Sequence, residues 1–197
     1  NASVCSFSLT FVDTIAPAVT CPADQTDFLD ASCEFRALDY SNLVTGIDNC
    51  GGSVFFTQTP PVNTLFTGTN SSIVITYSAE DALGSTSSCS FNVNISDTIA
   101  PIISGCAPDT LVSANANCEY IMEDFTGFIS AIDNCSSVTG ESQDIAIGTP
   151  LVAGGPYPVI LSILDDYSNT STCTFNITVV DNTAPIINCP NNSSVAA

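Results

Sequence analysis

The sequence has 197 residues and a formal net charge of −19, from 20 acidic residues and a single Arg, with no Lys or His. Nucleic acids and anionic membranes bind through Lys and Arg, so the composition excludes both as partners and leaves divalent cations as the natural counter-charge. The lack of imidazole and amine groups removes most of the apparatus of acid–base and covalent catalysis and argues against an enzyme. No run of 18 apolar residues occurs, so membrane insertion is not expected in this segment, and any export signal or anchor is expected outside it.

Ten cysteines are present. Zinc is the alternative to disulfides, but there is no His ligand and no Cys-x-x-Cys pair from which a four-thiolate site begins. Disulfides persist in oxidising compartments, so the expected location is extracellular, either secreted or on the cell surface.

An internal repeat organises the chain. Cys5-Ser-Phe recurs at Cys89 and, as Cys-Thr-Phe, at Cys173, with offsets of 84 in both cases (89 − 5 and 173 − 89). Asp13-Thr-Ile-Ala-Pro recurs at Asp97 with the same offset. The period predicts four segments: residues 1–12 are the last strand of a preceding module, 13–97 one module, 98–181 a second module, and 182–197 the first strand of a following module.

The elements within each module are predicted to be β-strands. Residues 73–79 and 89–95 are rich in β-branched and aromatic side chains and flank the turn residues 81–84, and residues 158–164 and 172–180 repeat this pair. No amphipathic helix longer than one turn is predicted. About seven short strands per module, separated by Gly, Pro, Asn and Ser, predict an all-β fold of tandem immunoglobulin-like sandwiches in an extended array.

The order of the motifs resembles the hyalin repeat (HYR). The motifs are Ala16-Pro-x-x-x-Cys-Pro22, Asp48-Asn-Cys50, Phe66-Thr-Gly-Thr69, Ile75-Thr-Tyr-Ser-Ala-Glu-Asp-Ala-Leu-Gly84 and Cys89-Ser-Phe-Asn-Val93. With its added cysteine pair, the chain is similar to the giant repeat adhesins of Bacteroidota. It lacks the usual strand Trp, for which Phe35 or Tyr120 is the substitute. The resemblance implies an extracellular, adhesion-related module without catalytic residues.

Two disulfide schemes satisfy the sequence. The first pairs Cys5–Cys21, Cys89–Cys106 and Cys173–Cys189, but an extended run such as 90–95 covers about 20 Å, whereas bridged Cα atoms lie within about 7 Å. In an immunoglobulin-like sandwich the first strand runs parallel beside the last, which favours bridges between these strands. The predicted bridges are therefore Cys21–Cys89, Cys33–Cys50, Cys106–Cys173 and Cys118–Cys135, with Cys5 and Cys189 pairing outside the fragment.

Acidic loop residues are predicted to gather at one end of each module, at the junction with the module before it. The first set is Asp13, Asp48, Asn49, Glu80 and Asp81, and the second is Asp97, Asp133, Asn134, Asp165 and Asp166. Ca²⁺ takes about six to eight oxygen ligands in irregular geometry and suits such a set. The alternative is that these are solvated turn residues whose side chains bond their own backbone, and no EF-hand spacing is present.

Glycosylation is a further expectation. Asn-x-Ser/Thr acceptors predict N-glycans on Asn70, Asn94, Asn134, Asn169 and Asn176 in a eukaryotic secreted protein. Asp-Thr-aliphatic triplets resemble the O-glycosylation signal of Bacteroidota and predict sugar on Thr14, Thr98 and Thr110.

Two functions are expected from these features. The first is an extracellular structural or adhesive repeat, a disulfide-stapled spacer or filament segment that Ca²⁺ stiffens at the module junctions. The second is a calcium-dependent module that binds carbohydrate or a receptor. The expected partners are neighbouring modules, further copies of the chain, and surface glycans or receptors.

Overall fold

The computed structural model describes residues 2–68 and 72–189. It divides into two compact units: unit 1 comprises residues 1–99 and 133–137, and unit 2 comprises residues 100–132 and 138–197. The sequence places residues 133–137 in the second module. In the structure they belong to unit 1, and Cys135 packs against the hydrophobic core of that unit. No helix among the described residues is long and apolar enough to cross a membrane.

Unit 1 is built from β-strands and one 3₁₀ turn at Ser41–Leu43. The described strands are β1 (Ala18–Thr20), β2 (Gln25–Phe28), β3 (Glu34–Arg36), β4 (Thr45–Ile47), β5 (Phe55–Thr59), β6 (Leu65–Thr67), β7 (Ser72–Glu80) and β8 (Thr86–Ser96). One layer is a four-stranded sheet in the order β2-β8-β7-β5, and the pairs β1-β4 and β3-β6 form the other layer.

The core of unit 1 follows the two-residue period of its long strands. Ile73, Ile75 and Tyr77 on β7 are buried, as are Phe91 and Val93 on β8, while the residues between them face outwards. Phe35 on β3 and Val44 beside β4 cover this face from the other layer. Residues 73–79 and 89–95, which the sequence predicts as strands, therefore belong to a half-buried antiparallel pair.

Unit 2 repeats this architecture, with a 3₁₀ turn at Thr126–Phe128. Its strands are β9 (Ile102–Gly105), β10 (Thr110–Ser113), β11 (Glu119–Ile121), β12 (Ser130–Ile132), β13 (Val138–Gln143), β14 (Pro150–Val152), β15 (Gly154–Asp165) and β16 (Thr170–Val180). The four-stranded sheet has the order β10-β16-β15-β13, and the pairs are β9-β12 and β11-β14. Phe175, Ile177 and Val159 are among its fully buried side chains. Both units are immunoglobulin-like β-sandwiches.

Each unit shows eight described strands where about seven were predicted, because the first strand is split. In unit 1, β1 pairs with β4, and after Pro22 the chain crosses to the other sheet as β2, which pairs in parallel with β8. Proline has no N–H to give to a ladder, so it is a natural point for this break. β9 and β10 are split in the same way around Pro108.

The parallel register accounts for the disulfides in the structure. Gln25 lies opposite Val93, an offset of 68 (93 − 25), and the Cys21–Cys89 bridge has the same separation of 68, with Cα atoms 5.7 Å apart. In unit 2, Thr110 lies opposite Ile177 (177 − 110 = 67), and Cys106–Cys173 has a separation of 67 and a Cα distance of 6.3 Å. Both of these bridges are among those predicted from the sequence.

The segments on either side of the two sandwiches form no strand among the described residues. Residues 2–12 and 182–189, which were predicted as strands of neighbouring modules, have no strand structure and are mostly or entirely exposed. A strand forms only beside a partner that takes up its backbone hydrogen bonds, and the predicted partners belong to neighbouring modules, so this assignment stays a prediction.

Candidate metal centre

Three loops of unit 1 bring acidic side chains around one small cavity. The cluster contains one ligand atom from each of Asp13, Asp48 and Cys50, and these three atoms lie within 4.8 Å of one another. The cavity has a volume of about 170 Å³ and is lined by Asp13, Asp48, Cys50, Gly52, Asp81, Ala82 and Leu83. Asp13 precedes β1, Asp48 follows β4, and Asp81 begins the turn between β7 and β8. All three belong to the first predicted set.

Each of these aspartates uses one oxygen to hold its own loop. Asp13 Oδ1 accepts the N–H of Ile15 at 3.0 Å, and Asp48 Oδ2 accepts the N–H of Cys50 at 2.9 Å. Asp81 Oδ1 accepts the N–H groups of Leu83 at 2.8 Å and Ser85 at 2.9 Å. Aspartate is favoured in turns because its short side chain reaches these backbone donors. The alternative in which these side chains bond their own backbone therefore holds for one oxygen of each aspartate.

The second oxygens of two of the aspartates have no donor. Asp48 Oδ1 and Asp81 Oδ2 are buried and accept no hydrogen bond from any described residue, and Asp81 as a whole is only 6% exposed. A buried carboxylate oxygen without a partner is costly. The single Arg of the chain, Arg36, lies on β3 and pairs with Glu34 at 3.8 Å. No basic residue lines the cavity.

Cys50 occupies the same cluster as a hydrogen-bond donor. Its thiol is bonded to the carboxylate of Asp13, and this bond lowers the pKa of Asp13 and raises the pKa of Cys50. Asp48 and Asp81 add negative charge that raises the pKa of Cys50 further. The thiol is thus held protonated, and oxygen atoms are the ligands that this cavity offers. The sequence did not assign Cys50 to the cluster, although its position two residues after Asp48 is a usable signal.

Two members of the first predicted set lie outside the cavity. Glu80 is exposed at the end of β7, because consecutive strand residues face opposite sides and Asp81 takes the inward position. Asn49 is exposed, and its side-chain amide donates to Cys50 Sγ at 3.3 Å. The structure therefore corrects the predicted set, from which only Asp13, Asp48 and Asp81 line the cavity.

The second predicted set is divided between the units. Asp97 is buried in unit 1. Burial acts to raise the pKa of Asp133, but N–H groups of Cys135 and Ser136 and the side chain of Asp97 lower it on balance. In unit 2, Asp165 is buried, and its Oδ1 accepts the N–H groups of two residues, Tyr167 and Asn169, both at 2.8 Å, as Asp81 Oδ1 does in unit 1. Asp166 and Asn134 are exposed. Cation binding by this set stays a prediction.

The predicted bridges Cys33–Cys50 and Cys118–Cys135 are absent, and these four cysteines are free thiols in the structure. Cys33 lies beside the end of β8, where Leu29 N–H bonds the carbonyl of Ser96, whereas Cys50 lines the cavity at the turn before β8. Eleven strand residues separate these two ends, which is on the order of 30 Å and far beyond disulfide reach. The side chain of Cys135, by contrast, is hydrogen-bonded to that of Cys33.

The predicted glycosylation positions differ in accessibility. Asn94, Asn134, Thr14 and Thr98 are exposed. Asn169, Asn176 and Thr110 are half-buried, and Asn176 donates to Asp109 while Thr110 Oγ1 donates to the Pro108 carbonyl. Asn70 lies outside the described residues. Modification at these positions stays a prediction.

No protein-family model matches the sequence, so the resemblance to the hyalin repeat rests on the motif order alone. Among solved structures, human protocadherin-24 EC1-2 is 14% identical with a TM-score of 0.43, covering 87% of this chain and 100% of that one. The protocadherin GammaB4 extracellular domain is 14% identical with a TM-score of 0.41, covering 84% and 32%. Fibronectin(III)-like modules of Clostridium thermocellum CbhA are 13% identical with a TM-score of 0.35, covering 89% and 100%. The fold assignment rests on the strand topology.

Proposed function

We propose that this chain is part of an extracellular structural or adhesive repeat protein, a disulfide-stapled spacer or surface filament segment of HYR-like modules. Ca²⁺ bound by Asp13, Asp48 and Asp81 stiffens the end of unit 1 at which the linker, residues 13–17, precedes β1. The observation that carries the calcium proposal is the pair of buried oxygens, Asp48 Oδ1 and Asp81 Oδ2, which have no donor and line one cavity with Asp13.

Calcium is the cation that this chemistry favours. The cavity presents carboxylate oxygens from three loops, and Ca²⁺ accepts mono- or bidentate carboxylates, backbone carbonyls and water in flexible geometry. Zinc prefers nitrogen and thiolate ligands, but the chain has no His and the Cys50 thiol is held protonated. A net charge of −19 raises the local concentration of any cation at this surface.

The position of the site gives the cation a mechanical role. Asp13 belongs to the linker, whereas Asp48 and Asp81 belong to loops of the sandwich. Four residues after Asp13, Pro17 is fully buried, and its carbonyl accepts a hydrogen bond from the Ser87 hydroxyl. A cation held between Asp13 and the two loops gives the linker a second attachment beside Pro17, which limits bending of the chain at this point.

The remaining features support a passive role outside the cell. Each unit carries a disulfide between its first and last strands, which requires an oxidising compartment. The acids of the cavity sit at turns and hold their own loops, and neither His nor Lys is available as a base or nucleophile. We therefore propose that the protein is structural and not an enzyme. Its partners are neighbouring modules and further copies of the chain.

A second candidate function has one observation in its favour. A groove of about 460 Å³ borders the acidic cavity, and its lining includes the exposed side chains of Phe11 (87% exposed) and Leu83 (62% exposed) together with Asp13 and Asn49. An apolar surface beside a cation is a means of holding a sugar ring or a receptor loop. Binding to a glycan array that disappears on chelation is the result that would favour this function over a spacer.

Calorimetric titration with CaCl₂ tests the site. The purified chain is compared with Asp81→Asn, which keeps Oδ1 for the turn and removes the charge, and with Glu80→Gln, which removes the neighbouring charge outside the cavity. We expect Asp81→Asn to bind one Ca²⁺ fewer than the unmodified chain and Glu80→Gln to bind the same number. Equal binding by Asp81→Asn, or no binding by the unmodified chain, would refute the calcium site.

A further inference from the structure

Cys33 and Cys135 meet within unit 1 although they are far apart in the sequence. Cys33 lies in the tight turn between β2 and β3, where its N–H bonds the carbonyl of Asp30 at 2.9 Å. Cys135 Sγ lies 3.9 Å from that same carbonyl oxygen, and its side chain is hydrogen-bonded to the side chain of Cys33. Both cysteines pack against the hydrophobic core of unit 1. Two thiols are thus held in contact at the edge of a packed core.

The backbone at Cys33 indicates that its side chain is needed there. Cys33 has φ = 61°, in the left-handed region, and the equivalent Cys118 in unit 2 has the same value. A side chain with a Cβ is disfavoured in this region, and Gly or Asn is the usual choice for such a turn. A strained residue persists when its side chain has a role that Gly or Asn does not fill.

The repeat sets this pair apart from the other free cysteines. Cys118 is the equivalent of Cys33 (118 − 33 = 85), and Cys50 is the equivalent of Cys135 (135 − 50 = 85). Cys33 and Cys135, which touch, are half-buried, whereas Cys118 and Cys50 are exposed. A cysteine at either of these two repeat positions is therefore half-buried where it contacts the other and exposed where that contact is missing.

We propose that Cys33 and Cys135 form a disulfide. The two thiols lose two protons and two electrons, an S–S bond forms, and a disulfide-bearing oxidant such as oxidised glutathione or a thiol oxidoreductase is reduced to two thiols. The same class of oxidant makes Cys21–Cys89 and Cys106–Cys173. The bridge ties the loop 133–137 to the turn between β2 and β3.

Peptide mapping without reduction tests this bridge on the full chain. A protease that cleaves before aspartate releases every cysteine in a separate peptide: Cys33 in residues 30–38, Cys50 in 48–80, Cys118 in 109–123 and Cys135 in 133–143. The chain is refolded in a glutathione redox buffer, its free thiols are alkylated, and the digest is analysed by mass spectrometry. We expect 30–38 linked to 133–143, with Cys50 and Cys118 alkylated.

Two results would overturn the proposal. One is a link from 30–38 to 48–80 or from 109–123 to 133–143. The other is alkylation of both Cys33 and Cys135 in a digest that contains the Cys21–Cys89 link (13–23 with 81–96), which reports that unit 1 is folded. Cys33→Ala should render Cys135 accessible to alkylation, whereas Cys118→Ala should leave the link between 30–38 and 133–143 intact.

Discussion

Glu80 and Asp81 are neighbours at the end of β7, yet Glu80 is exposed and Asp81 is 6% exposed, with one carboxylate oxygen bonded to two backbone N–H groups and the other bonded to none. The same change of charge at these two positions therefore has different consequences. At position 80 it alters a solvated surface, and at position 81 it alters a buried group that faces Asp13 and Asp48 across a cavity.

Asp81→Asn is expected to remove the thermal stabilisation that Ca²⁺ provides. Ligand at 100-fold its Kd stabilises the folded state by about 2.7 kcal/mol, which is a shift of several degrees in Tm for a unit of this size. In EGTA the variant should be at least as stable as the unmodified chain, because a buried negative charge has been removed. Scanning calorimetry in CaCl₂ and in EGTA measures both effects. Glu80→Gln is the matched control and should retain the full calcium response, and a full response in Asp81→Asn would contradict the assignment.

Asp24→Asn is expected to weaken the dependence of stability on acidic pH. Asp24 lies between β1 and β2, and its carboxylate accepts the backbone N–H of Asn92 at 2.8 Å and the side-chain amide of Asn92 at 3.1 Å, which lowers the pKa of Asp24. A pKa that is lower in the folded state stabilises the fold above the unfolded value, and this stabilisation is lost as the pH falls through the folded value. Urea unfolding at pH 7 and at about pH 2 measures the loss.

The control for Asp24 is Asp27→Asn, since Asp27 Oδ1 accepts the N–H of its neighbour Phe28 and makes no cross-strand bond that the structure records. This variant keeps both bonds between Asp24 and Asn92, so it should lose less stability than Asp24→Asn at pH 7. If Asp24→Asn and Asp27→Asn lose the same stability at pH 7, the bond to Asn92 is not what stabilises the pairing of β2 with β8.

Removal of the Cys21–Cys89 bridge is expected to destabilise unit 1. A bridge with a separation of 68 residues contributes about 4 kcal/mol in the chain-entropy model. The double variant Cys21→Ser/Cys89→Ser leaves no unpaired thiol from this bridge, and its urea midpoint should fall accordingly. Cys106→Ser/Cys173→Ser is the matched variant in unit 2, where the separation is 67. An unchanged midpoint in the first variant would show that the parallel pairing of β2 with β8 holds without the bridge.

The first-to-last-strand bridges were predictable because they depend on a regular feature. Once the first strand is placed parallel to the last, a constant offset fixes which residues face each other, and Cys21 and Cys89 share the offset of Gln25 and Val93. The buried alternation of β7 and β8 was predictable for a similar reason, because a strand has a fixed period.

The pairing of Cys33 was not predictable in this way. It lies in a turn and Cys50 in a loop, and the distance between two loops depends on how long the intervening strands are and which ends they join. The short sequence spacing from Cys33 to Cys50 carries no information about this distance. The contact with Cys135 depends on the packing of the loop 133–137 against the core of unit 1, and the sequence spacing carries no information about that packing.

Gln58 is a residue that the sequence reasoning missed altogether. Its Oε1 accepts the hydroxyl of Tyr77 at 2.6 Å and the N–H of Tyr40 at 3.3 Å, and its Nε2 donates to the carbonyl of Leu38 at 2.9 Å. Gln143 recurs at an offset of 85 (143 − 58) and accepts the N–H of Phe125. A polar residue that recurs at the same position of the repeat is the signal that identifies such a position.

The attachment of the linker by calcium is the central claim, and hydrogen–deuterium exchange of the segment that contains Asp13 and Ile15 measures it most directly. The Ile15 N–H bonds Asp13 Oδ1, so fixing Asp13 to the cavity should protect this amide and its neighbours. The account predicts slower exchange in peptides covering residues 13–23 when CaCl₂ replaces EGTA, with no such change in Asp81→Asn. Identical exchange in CaCl₂ and EGTA for the unmodified chain, or the same protection in Asp81→Asn, would contradict it.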